Sequence, residues 1–156
     1  MLSEKFKEND KKLKEQKYLF TSQWGNLVES LVEGDIVTLL SQRGINVTDT
    51  IERRKGRRDG INYEFDIITI NDFEMVIVEV KTTLRSEDIR YFLKKLVQAK
   101  DWMPEYADKT VYGAVAFISE DAGSSAMAEN NGLFVIKATG DSASIVNAGN
   151  FVPKYW

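Results

Sequence analysis

Residues 66–81 constrain this chain more than any other stretch. They read as two aliphatic strands joined by a polar turn, with Asp66 on the first strand and Glu79 and Lys81 on the second. Successive side chains on a strand point to opposite faces, so Glu79 and Lys81, two residues apart, emerge together. Their neighbours are Met75, Val76, Ile77, Val78 and Val80. A sheet that buries this strand must hydrate, pair or metallate an acid and a base lying side by side, because an unmatched buried charge is costly. Ionisable groups held in such a setting are candidates for chemistry.

Composition narrows that chemistry. The chain has 156 residues, 43% of them hydrophobic, which is enough for one ordinary domain with its own core. It contains neither cysteine nor histidine. Disulfides, thiolate metal sites, histidine bases and the serine–histidine–aspartate triad are thereby excluded, as is nearly every zinc or non-haem iron site. A metal would have to be held by oxygens, which points to magnesium, manganese or calcium. The missing cysteines fit a reducing cytoplasm, the expected location. No apolar run reaches the roughly 20 residues that span a bilayer. The charged N-terminus lacks the apolar centre of a signal peptide, so no membrane partner is expected. A net charge of −3 argues against a non-specific nucleic-acid binder, although local charge can depart from the average.

Residues 1–20 read as a polar helical arm in which Leu2, Phe6, Leu13 and Phe20 recur at spacings of four and seven. That is a short coiled-coil pattern, either a solvated extension or a self-association element that would make a homodimer. Residues 21–156 read as an α/β domain. A helix is expected from about Thr21 to Arg43, capped by Thr21 or Ser22 and ended by Gly44. Three strands should follow, at about 45–51, 61–70 and 74–82, with Arg53, Arg54, Lys55, Gly56, Arg57 and Arg58 as a basic turn between the first two. Ser86 should cap a helix that runs to about Met103, stopped by Pro104. A strand at 111–118, a helix at 124–131, a strand at 133–138 and a short strand at 143–146 complete the series. The first three strands are close enough for antiparallel hairpins, and the later ones are reached through helices, which favours parallel pairing. The result is a mixed central sheet with helices on both faces. There is no phosphate-cradling glycine loop of Walker type, and Gly123, Ser124 and Ser125 at a helix start are the remaining anion candidate.

This order, with one acid on the second strand and Glu-x-Lys on the third, resembles the PD-(D/E)xK nuclease superfamily. The core of that superfamily, the restriction-endonuclease-like fold, is helix, three-strand meander, helix and strand. The resemblance spans about residues 22–137 and matches Asp66, Glu79 and Lys81 to the motif. Gly25 and Glu29, with three residues between them, have the form carried on the first helix by archaeal Holliday-junction resolvases. Glu29 is therefore a further candidate, with Glu33 in reserve. Gln98 and Trp102 match a glutamine and aromatic pair of some branches, with tryptophan where tyrosine is usual. Phe65 stands where a proline often precedes the first acid. Glu64, on the strand face of Asp66, and Asp59, in the turn, are rival acids.

The resemblance implies hydrolysis of phosphodiester bonds in DNA. It implies a magnesium ion, with manganese as a substitute, held by Asp66, Glu79, the carbonyl of Val80 and Glu29. Lys81 would position or help deprotonate the attacking water. Arg53, Arg54, Lys55, Arg57 and Arg58 are the expected contacts to a phosphate backbone, with Lys94, Lys95 and Tyr91 as a weaker patch. No sequence-reading module is visible. Two other readings stay open. One is a catalytically silent nuclease-like module that binds nucleic acid or protein and dimerises through its arm. The other is a different fold in which these charges are only surface pairs.

Overall fold

The computed structural model describes residues 25, 27, 31–139 and 142–156. The expected coiled-coil arm and Glu29 lie outside the described residues, and so does the side chain of Glu33. Six strands form one sheet in chain order: β1 (Asp49–Arg58), β2 (Ile61–Ile70), β3 (Glu74–Leu84), β4 (Thr110–Glu120), β5 (Phe134–Thr139) and β6 (Ser142–Ile145). A π-helical turn (Leu31–Asp35) and helix α1 (Ile36–Ser41) precede the sheet. Helix α2 (Ser86–Trp102) connects β3 to β4, and α3 (Ser124–Asn130) connects β4 to β5. β1, β2 and β3 pair antiparallel, β3, β4 and β5 pair parallel, and β6 returns antiparallel to β5. The chain thus has a mixed sheet flanked by helices, in the restriction-endonuclease-like order of helix, three-strand meander, helix and strand.

The two crossovers explain why β3 and β4 are so apolar. Each is an interior strand covered on both faces, and such strands cannot alternate with polar residues. On one face Met75, Ile77, Val111 and Val115 meet Ile89, Phe92, Leu96 and Ala99, which recur at helical spacing along α2. On the other, Val76, Val78, Val80, Ala114 and Ala116 are covered by Leu31, Ile36, Leu39 and Leu40. Alternation along β3 therefore turns Glu79 toward α2. The start of α2 differs from expectation. Ser86 is its first residue and not its cap, and Asp88 instead accepts a hydrogen bond from the Arg85 N–H at 3.0 Å. A carboxylate there answers both an unpaired N–H and the positive end of the helix.

β1 is the larger correction. The basic stretch Arg53–Arg58 is strand, not turn, and the first strand begins at Asp49 and not near Ile45. β1 pairs with β2 from Asp49 opposite Ile70 to Arg58 opposite Ile61, with a single gap. Those ladder hydrogen bonds outweigh the weak strand preference of lysine, arginine and glycine. The reversal falls on Asp59 and Gly60, whose φ values of 51° and 79° suit a tight hairpin. Gly56 is needed for a different reason. The ring of Tyr63 lies across it and stacks on Trp102, with centroids 5.1 Å apart and planes within 5°. A β-carbon on Gly56 would sit 2.2 Å from the Tyr63 hydroxyl oxygen. Gly56→Ala should therefore push Tyr63 off Trp102 and destabilise the protein by about 1–3 kcal/mol, as overpacking does. A thermal melt checks this: an unchanged midpoint would mean that the stack gives way freely.

Candidate active site

The site starts from a fault in the sheet. β2 and β3 pair from Ile70 opposite Met75 to Ile67 opposite Val78. One more step in that register would set Asp66 opposite Glu79, and there the ladder stops. The single gap between β1 and β2 also falls at Asp66, opposite Arg53. Arg53 has a φ of 50°, a left-handed conformation that costs a non-glycine residue on the order of 1–2 kcal/mol. Phe65 and Ile68 pack into the same core layer although three residues apart, so strand alternation slips a step between them. Asp66 thus falls outside the pairing register on both sides. Its side chain takes over: Asp66 Oδ2 accepts the N–H of Val80 at 2.8 Å.

Glu79 emerges one residue away, only 8% exposed. Its Oε2 is 3.2 Å from Lys95 Nζ, which reaches down from α2. The Lys95 ammonium also lies 5.0 Å from the centroid of Phe65 and 6.0 Å from that of Tyr91, so aromatic faces share in solvating it. Burial pushes the Glu79 carboxyl up to about 7, and repulsion from Asp66 adds to this, against the opposing pull of Lys95 and Lys81. Burial likewise raises Asp66, opposed by the Val80 N–H, Lys95 and Lys81. Lys81 is on the same strand face but points along the rim, 3.8 Å from Asp88 Oδ1 and 40% exposed.

Asp66, Glu79 and Lys95, but not Lys81, line a cavity of about 540 Å³ between the β1–β2 hairpin and α2. Asp66, Glu79, Glu64, Lys55, Lys95 and Trp102 all line it. The other basic residues of β1 are distributed differently. Arg54 bonds Glu105 and lies 6.0 Å from the Tyr106 ring, whereas Arg57 and Arg58 are exposed along the strand. Gln98 is exposed and not among the residues lining the cavity; its expected partner Trp102 is there, stacked on Tyr63. Glu64 lines the cavity too, while Asp59 sits in the hairpin turn. Lys94 is exposed on α2. The Ser125 hydroxyl donates to Glu120 Oε1 at 2.8 Å, so a carboxylate already occupies the expected anion position. The sequence places Lys95 only in a weaker basic patch with Lys94 and Tyr91 on the helix after the site. A helical signal was available, since Lys95 adjoins the inward Phe92 and Leu96 positions.

The donor set suits a particular class of ion. Among the described residues no three acidic side chains cluster as a metal cage. Two carboxylates converge, each held through one oxygen by the protein and strained by burial and mutual repulsion. Magnesium keeps several waters and needs only one or two carboxylates, so this set fits it better than calcium, which takes six to eight oxygens.

The sign of the pH dependence follows from Glu79. Its folded value of about 7 exceeds the ordinary 4.5, so the folded state holds the proton more tightly. Its contribution is fully present below 4.5 and is lost as pH rises through about 7. In chelator, Glu79→Gln should flatten the fall in melting temperature between these limits, and a parallel wild-type curve would remove Glu79 as its source. Lys95→Met, which leaves the acid without its cation, should destabilise the protein more at pH 8 than at pH 5, where Glu79 can protonate. Equal losses at both pH values would show that packing alone is at stake.

No protein-family model matches the chain, and no curated protein sequence does so either. Among solved structures, the protein of unknown function AF1548 is similar over 65% of this chain and 54% of its own, at 13% identity and a TM-score of 0.48. A repair endonuclease from Pyrococcus abyssi is similar over 66% of this chain and 43% of its own, at 20% identity and a TM-score of 0.46. The EndoMS structure in complex with double-stranded DNA is similar over 56% and 36%, at 21% identity and a TM-score of 0.39. The chain thus spans between 36% and 54% of the length of these proteins, and each likeness is a partial one of architecture.

Proposed function

We propose that this chain is a metal-dependent deoxyribonuclease in which Asp66 and Glu79 hold a magnesium ion, with manganese able to substitute. One observation carries the reading: the buried carboxylate of Glu79 and the half-buried carboxylate of Asp66 both line one cavity, at the point where β2 and β3 part. The carbonyl of Val80 and the carboxylate of Glu29 are the further ligands proposed from the resemblance to PD-(D/E)xK nucleases. When bound, the ion supplies charge neutralisation at the phosphate and a lowered pKa for its water.

The protein's own groups would do the rest. The Val80 N–H fixes Asp66 through Oδ2 and leaves Oδ1 for a ligand. Lys95 does the same for Glu79 through Oε2. Lys95 would offer positive charge where negative charge builds up on a phosphate under attack, and preorganised cations there lower the barrier. Lys81, at the rim beside Asp88, would orient the attacking water. Lys55 at the cavity, with Arg53, Arg57 and Arg58 along the edge strand β1, would track the phosphate backbone; Arg54 is held aside by Glu105. A binding module without turnover is the second reading, favoured by the presence of only two converging carboxylates among the described residues.

Calorimetric titration of magnesium and manganese, followed by plasmid nicking on the same samples, separates the two. Wild type should bind and nick, while Asp66→Ala and Lys81→Ala should lose nicking by on the order of a hundredfold or more. Folded wild type that binds neither ion and leaves the plasmid intact would overturn the nuclease reading. Because Glu79 must shed its proton to accept a cation, magnesium affinity should climb roughly tenfold per pH unit until about 7 and then level off.

A further inference from the structure

The cavity is larger than a hydrated ion requires. At about 540 Å³ it falls in the range of sites that enclose a small organic group. Its lining sorts by chemistry. Tyr91 stands at the mouth with 67% of its surface exposed. Core packing does not account for it, since α2 buries Ile89, Phe92, Leu96 and Ala99 instead. Across the cavity, Lys55 and Asn62 come from the hairpin side. Lys95 joins the parts, 6.0 Å from the Tyr91 ring and 3.2 Å from Glu79.

An open aromatic face, a nearby ammonium and an acid pair match three parts of a nucleotide: a flat base, a phosphate and a metal-bridged ester. Bases in a continuous duplex are stacked and turned inward, so they cannot lie on a wall of this kind. A base with no partner can, and stacking on a tyrosine is indifferent to its identity. We propose that the cavity seats one unpaired nucleotide of a DNA chain, its base against Tyr91, its edge toward Asn62 and its phosphate toward Lys55 and the carboxylates. This rests on the nuclease reading and specifies its substrate: ends, flaps, gaps or extruded bases rather than uninterrupted duplex.

Binding can be read apart from cleavage. Asp66→Asn protein keeps an oxygen for the Val80 N–H and, on the nuclease reading, does not turn over. It would be titrated with oligonucleotides carrying a fluorescent adenine analogue, whose emission falls on stacking, in single-stranded, gapped and fully paired form. The unpaired analogue should be quenched and bound about tenfold or more tightly than the paired one. Adding Tyr91→Ala should abolish that preference without altering duplex affinity, and Tyr91→Phe should keep it. Equal affinity for paired and unpaired forms, or equal losses on both in Tyr91→Ala, would overturn the proposal. Wild-type cleavage of the same single-stranded and gapped oligonucleotides in magnesium runs alongside: cleavage without the preference sinks the nucleotide seat alone, and the preference without cleavage of any of them supports the seat and sinks the nuclease reading.

Discussion

Two acids, Glu79 buried and Asp66 half-buried, brought together where β2 and β3 part set the terms for everything around them. In an unbroken antiparallel pair, opposed side chains lie about 5 Å apart, and like charges there oppose pairing. Asp66 and Glu79 would occupy such a pair if the register of β2 and β3 ran one step further. It does not. The β2–β3 ladder ends, the β1–β2 register passes over Arg53 and Asp66, and the N–H of Val80 donates to the Asp66 carboxylate. The cavity is the space that this parting leaves. The sheet opens at the two acids, with no loop inserted there.

The cations around the pair divide their work by burial. Lys95 is nearly enclosed, bonded to Glu79 and set over aromatic rings, which makes it part of the interior. Lys81, from the strand motif, reaches the rim and shares Asp88 with the start of α2. α2 thus has two tasks. It covers the sheet with Ile89, Phe92, Leu96 and Ala99, and it brings the site's most enclosed positive charge.

Much of this architecture was legible in the residues. β2 was bounded by Gly60 and the Asn71 turn, and its observed limits are those expected. β3, α2 and the change from antiparallel to parallel pairing followed from apolar runs, helical spacing and connection length. β1 was obscured because Arg53–Arg58 has the composition of a loop; its strand character comes from β2, a partner that local propensity does not see. The Asp59–Gly60 signal that fixes the true turn was present all the same. Asp66 and Glu79 were legible as carboxylates on adjacent strands. Lys95 was not, because its role depends on how α2 sits over β3, and strand spacing carries no information about that.

The placement of Lys95 ties the drying of the two acids to the packing of α2. Asp66 and Glu79 belong to neighbouring strands of one hairpin, a short-range contact of the kind that closes in microseconds. Lys95 stands on α2, the helix that follows β3. Without α2 over it, that hairpin would hold both acids with no counter-ion, yet wet, so that water and salt would screen their repulsion. Drying begins only when α2 settles onto the sheet, and that same movement delivers the ammonium. The step that makes the repulsion expensive is also the step that answers it.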